Sequence, residues 1–307
     1  MAAVLILLER GGKALRSPSK SALLARAATK VGRGKGFGVH KALDQLGAFA
    51  GPLVVAGVVA LTASLWLGFA WLVVPGVIAM VILLVIRRGV PDPGNIGATS
   101  VAPPAAPREA ASSWWRIALG GGLPGVFFGY AVAAALTTAG LVTFAVLSVH
   151  LTRDLGVTVA WVPVIYAGAM LVEAVAALGT GWAYDRVGPK VLVVVPVLVG
   201  LVPALAFAGL LAVALVGVGV WALAYGIQDS TIKALVAQLV PSDRLAGAYG
   251  IFAAIQGAFA MVGGFVAGYL LDRSIPLLIV VVGVSQAVAL VLLVVTLRRV
   301  RPAIVAG

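Results

Sequence analysis

Gly181-Trp182-Ala183-Tyr184-Asp185-Arg186-Val187-Gly188-Pro189-Lys190 is a short charged turn between two long apolar segments. A segment leaving hydrocarbon needs a sharp, hydrated reversal before it re-enters. Gly188 permits the tight backbone. Asp185 suits the positive N-terminal end of a helix, and Arg186 and Lys190 suit a cytoplasmic face. The rest of the chain is set around this turn. It is 62% hydrophobic and 10% charged, with a mean hydropathy of +1.13. Soluble domains are about a quarter charged, so this composition belongs to an integral membrane protein. The apolar runs are continuous rather than alternating, which makes them helices and not barrel strands.

Outward from the turn, the apolar runs fall at about Phe37 to Leu61, Trp66 to Ile86, Ile117 to Ser148, Thr158 to Trp182, Val191 to Ala212, Gly217 to Leu239, Gly247 to Leu271 and Pro276 to Leu297. Met1 to Ala28 reads as a further helix, apolar first and then basic. The expected fold is therefore all-α: a polytopic transmembrane bundle of about nine spans. Its expected organisation is a partial first half of three spans over 1–88, a proline-, alanine- and serine-rich linker over 89–113, and a complete six-helix half over 114–301. The apolar start at Ala2 to Leu8 stops at Glu9 and Arg10, and is read as the tail of a span that has lost its beginning.

The 22 Lys and Arg against 10 Asp and Glu would suggest nucleic acid in a soluble protein. Here basic residues collecting in cytoplasmic loops explain them, so no nucleic-acid partner is expected. With the linker inside, the inner loops hold nearly all the bases and the outer ones only Arg153 and Arg273. That orientation places the linker and C-terminus in the cytoplasm of a cell-membrane protein. There is no cysteine, and the two histidines, His40 and His150, are far apart in sequence. Metal sites, cofactors and enzyme chemistry are not expected. Gly120-Gly121-Gly122 follows no strand and is not a phosphate loop.

Ser17 to Pro52 can be laid on Asp229 to Gly264 at a constant offset without gaps. Ala22-Leu23-Leu24-Ala25 falls on Ala234-Leu235-Val236-Ala237, Phe37 on Tyr249, Arg16 on Gln228 and Asp44 on Gln256. Parallel repeats of this kind build transporters whose halves rock about a central site.

The residues Gly181, Asp185, Arg186, Gly188 and Lys190 resemble the loop signature of the major facilitator superfamily, with Pro189 departing from the usual basic residue. Leu8 to Pro18 resembles the family's fourth span, and Gln228 to Arg244 its tenth span and following loop. Gly47-x-x-x-Gly51-Pro52 resembles its fifth-span antiporter motif, with Val55-Ala56 in place of the terminal glycine pair. The resemblance implies spans four to twelve of a twelve-span protein. It further implies a secondary active transporter that moves a small solute by alternating access, with the Asp185/Arg186 loop latching one state.

Charged residues inside hydrocarbon face a cavity or a partner. The spans around Pro75, Pro203 and Gly283 hold none and should face lipid. Arg16, Glu173 and Asp229 lie about a dozen residues from the nearest inner turn, roughly 18 Å along a helix, and Asp44 is shallower. Arg16, Asp44, Glu173, Gln228, Asp229, Lys233 and Gln256 are the expected substrate and ion pathway. Glu173 and Asp229 are the expected proton or cation carriers, and Arg16 an electrostatic partner or anion-binding group. Asp229 and Lys233, one turn apart, can also neutralise each other. Gly47/Gly51, Gly125/Gly129 and Gly264/Gly268 are expected helix contacts, and Pro52, Pro124 and Pro163 expected kinks. The competing expectation is a chain that inserts without transporting, either a remnant or a longer transporter whose start is misassigned.

Overall fold

The computed structural model describes residues 2–89 and 121–305. They form eleven α-helices and two short 3-10 turns, with no strand among the described residues. In chain order the helices are α1 (Ala2–Ala27), α2 (Arg33–Thr62), α3 (Leu65–Ala70), α4 (Val73–Gly89), α5 (Gly125–Gly140), α6 (Phe144–Arg153), α7 (Val162–Val187), α8 (Val194–Ala206), α9 (Leu211–Leu239), α10 (Leu245–Leu271) and α11 (Ile275–Val305). Every backbone polar group in hydrocarbon needs an internal partner, and helices supply it within one segment. Eight spans among the described residues are long and apolar enough to cross a membrane. The helix α1 is not among them; Arg10, Lys13, Arg16, Lys20 and Arg26 lower its hydropathy. The linker and Trp114-Trp115-Arg116 lie outside the described residues.

Two expected boundaries move. The reversal between α8 and α9 falls at Phe207–Leu210, earlier than the expected position between Ala212 and Gly217. Its residues are apolar apart from Gly209, so hydropathy gives no signal there. The span after the linker is broken, with α5 and α6 separated at Leu141–Thr143. At the break the Trp221 indole Nε1 donates to the Val142 carbonyl at 2.7 Å. That side chain takes over a bond that the Val146 N–H would have made in a continuous helix; Val146 donates to Thr143 instead.

The expected kinks also need correction. Pro124 caps α5 and Pro163 stands in the first turn of α7, where a missing N–H costs nothing; only Pro52 is interior to its helix.

The main packing partner of α2 is α7; α9 packs on α7, α8 and α2, and α11 packs on α5 and α8. One apolar core gathers Leu147, Leu151, Val199, Val202, Trp221 and Leu278 near the α5–α6 break. The other gathers Phe127, Tyr130, Leu235, Tyr249 and Phe252. Tyr130 and Phe252 stack at 5.8 Å between centroids, and the Tyr130 hydroxyl donates to the Ile232 carbonyl at 2.9 Å. The side chains of α4 from Val73 to Ile86 are exposed, as a lipid-facing span requires. On α8 only one face is, with Val194, Val197 and Leu201 out and Val195, Val199 and Val202 in.

The repeat survives in the helix boundaries. The shift that lays Ser17 on Asp229 also carries the end of α1 at Ala27 onto the end of α9 at Leu239. It carries the start of α2 at Arg33 onto the start of α10 at Leu245.

Candidate functional site

Gly34, Gly38, Lys41 and Gln45 recur every three or four residues, so they share one face of α2. That face is buried against α7. Contact here is backbone to backbone. A Cβ on Gly38 would lie 2.5 Å from the Ala177 carbonyl oxygen, and one on Gly34 would strike the Gly181 carbonyl. On the other side of α7, a Cβ on Gly226 of α9 would lie 2.5 Å from the Glu173 carbonyl oxygen. Three helices are thus drawn together around one acid. The glycine pairs expected from spacing alone do not do this: Gly47, Gly51, Gly125, Gly264 and Gly268 have open space where a Cβ would stand, and Gly129 meets only the Thr296 hydroxyl.

The polar side chains of those three helices converge on Glu173, which is 1% exposed. Lys41 Nζ lies 2.8 Å from Glu173 Oε1 and 2.8 Å from Asp229 Oδ2. Lys233 Nζ donates to Asp229 Oδ1 at 2.5 Å. Gln45 Nε2 donates to Glu173 Oε2 at 2.6 Å and also lies 2.8 Å from Met170 Sδ. The Tyr225 ring faces Lys41 with its centroid 5.9 Å from Nζ. Two bases and two acids make a neutral set. Desolvating each ion costs several kcal/mol, and mutual attraction roughly returns it. The set therefore contributes little net stability, but it makes α2, α7 and α9 sensitive to any one charge.

Glu173, Asp229 and Lys233 are thus brought together as the sequence suggests. Lys41 and Gln45 are the residues that sequence reasoning missed. The signal the sequence offers for Lys41 is its position on the face that carries Gly34 and Gly38. Gln228 and Gln256 form a separate cluster, both donating to the Thr138 hydroxyl, at 2.6 and 3.0 Å. Thr138 in turn donates to the Ala134 carbonyl at 2.9 Å. Asp44 is exposed and lines a small cavity beside the charge cluster. Arg16 is exposed and forms none of the ion pairs found among the described residues.

The opening turn lies at the same α2–α7 contact. Asp185 Oδ1 and Oδ2 accept from the backbone N–H groups of Gly34 and Lys35, each at 2.8 Å. The helix α2 has Gly32 at its N-cap and no side-chain cap of its own, so Asp185 caps it from another helix. Arg33 reaches across to the Ala237 carbonyl of α9 at 2.8 Å. Gly181 sits against Gly34 with no room for a side chain. Gly188 adopts φ 77°, a region that favours glycine. Arg186 lies over the Trp182 ring at 3.8 Å, and Lys190 is exposed. No cluster of three or more metal-ligating side chains occurs among the described residues.

The chain is 42% identical over 306 residues to an uncharacterised protein of Mycobacterium tuberculosis and to one of Mycobacterium bovis, an alignment covering 98% of this chain and 72% of theirs. The sequence profile of the Major Facilitator Superfamily matches residues 126–306, which take in the charged turn, both acids of the central cluster and the amide cluster. A multi-pass helical bundle with this profile over more than half its length belongs to the Major Facilitator Superfamily of membrane transporters.

Proposed function

We propose that the chain is a secondary active transporter that carries a small solute by alternating access, coupled to proton movement through Glu173. The observation that carries this reading is Lys41. A base on α2, in the first half, sits between two acids on α7 and α9, in the second. Protonating Glu173 leaves Lys41 with one anionic partner instead of two and weakens the tie between the halves. Separation then parts the glycine faces of α2 and α7 and withdraws Asp185 from the start of α2. Asp229 is the second carrier, held by Lys233 when Lys41 leaves. Arg16, Asp44, Gln228 and Gln256 line the solute path. The protein sits in the cell membrane with the linker, the Asp185 turn and the C-terminus in the cytoplasm, and efflux is the proposed direction.

Everted vesicles from expressing cells test this. They are energised to build a pH gradient and followed with an acridine dye. Sugars, organic acids and hydrophobic cations such as ethidium are then added in turn, and the true solute discharges the gradient. Glu173→Gln is expected to exchange that solute between equal pools while losing gradient-driven accumulation. Normal accumulation by both Glu173→Gln and Asp229→Asn would remove the carriers from the assignment.

A further inference from the structure

We infer that the cavity beside the charge cluster binds an oxyanion, the charged end of an anionic solute, with Lys20 as its main counter-charge. The inference rests on the transport reading above and narrows its substrate class. The cavity measures about 30 Å³ and is lined by Lys20, Ser21, His40, Asp44, Asp229 and Lys233 among others. That volume takes two waters or the two oxygens of a carboxylate. Lys41 and Lys233 are already balanced by Glu173 and Asp229. The remaining charges within reach of Lys20 are Arg16 and Asp44, two bases to one acid. Lys20 itself is partly buried and forms none of the ion pairs among the described residues. It stands seven residues before the end of α1 at Ala27, about 10 Å along the helix axis.

A base at that depth, sharing the one acid Asp44 with Arg16, is costly in a low-dielectric site, and an incoming anion offsets the cost. Ser21 and His40 add neutral hydrogen-bond donors to the same wall. A cationic solute meets the opposite balance. Asp44, exposed across the cavity, is the group an anion has to approach, so it weakens binding.

The test is equilibrium binding by the purified full chain, with no gradient. Its unfolding midpoint is followed in phosphatidylcholine nanodiscs as acetate or inorganic phosphate replaces chloride at constant ionic strength. A saturable rise over chloride is expected. Lys20→Gln should weaken the oxyanion affinity about tenfold, the equivalent of about 1.4 kcal/mol. Lys20→Arg should retain it and Asp44→Asn should tighten it, which keeps the inference testable if Lys20→Gln fails to fold. Nanodiscs containing phosphatidylglycerol distinguish the sources of the oxyanion. If that lipid alone saturates the effect, a headgroup phosphate is the occupant; if not, it is a soluble anion. No oxyanion-specific rise, or a rise that Lys20→Gln leaves unchanged, overturns the inference. Because nothing is transported, a failure here leaves proton coupling through Glu173 untouched, and a failure of coupling leaves the binding result standing.

Discussion

The two ends of the α2–α7 contact are held by different physics. At the Gly34/Gly38 end the helices touch through backbone, with Asp185 closing the start of α2. One turn deeper they touch through ions, Lys41 to Glu173, with Gln45 on the far carboxylate oxygen. The first end is intolerant of volume. The second depends on one buried ion pair and is sensitive to a single charge. On the proposed transport reading both are needed, because the ionic end would sense a proton only if the tight end fixes where the helices meet.

The largest effect is expected at the ionic end. Lys41→Met leaves Glu173 and Asp229 without the base between them, and an uncompensated buried charge costs about 3–5 kcal/mol. The unfolding midpoint in detergent should fall accordingly. Lys41→Met with Glu173→Gln should recover a large part of the loss, since the acid no longer needs a counter-charge. If the double variant is no more stable than the single one, the contact is held by shape at both ends and the contrast fails.

Next comes the tight end. Gly38→Ala places a methyl group 2.5 Å from the Ala177 carbonyl oxygen, so the helices must part. The expected cost is about 1–3 kcal/mol. The same substitution at Gly47, where nothing lies within 4 Å, should be neutral or slightly stabilising through helix propensity. Equal behaviour at the two glycines, read as unfolding midpoints, would show that the close approach is not what holds the helices.

Those two ends also mark what the sequence makes legible. Helix number and order follow from apolar run length, because a bilayer imposes a minimum on every span. The reversal at Phe207–Leu210 escapes this rule: its residues are nearly as apolar as the spans, and only Gly209 interrupts them. Glu173 and Asp229 stand out because an acid in a long apolar run is rare. Lys41 does not, since its meaning depends on which helix faces it. Pairing is the missing information. Glycine spacing singles out Gly47/Gly51 and Gly264/Gly268, yet the glycine face in use is Gly34/Gly38, whose partner Gly181 lies far along the chain. Asp185 is read correctly as a residue for a helix N-terminus, but the helix it serves is α2 and no sequence neighbour.

The smallest effect is expected at Asp185, and it sharpens the contrast by asking whether the cap opens on its own or together with the ionic end. Asp185 is exposed and its two bonds go to backbone N–H groups of another helix. Losing a cap costs typically about 1 kcal/mol, and α2 keeps its glycine contact with α7 after the loss. Asp185→Ala should therefore barely move global unfolding. It should instead speed hydrogen exchange at the Gly34 and Lys35 amides by about fivefold, the equivalent of about 1 kcal/mol. Asp185→Asn retains an acceptor oxygen and should fall between, with the difference from the native chain shrinking at high salt as the charge on the helix end is screened. Faster exchange confined to those amides makes Asp185 a local latch on the start of α2. Exchange that rises equally around Lys41 and Gln45 would mean the two ends open as one unit, and the division between them would have to be given up.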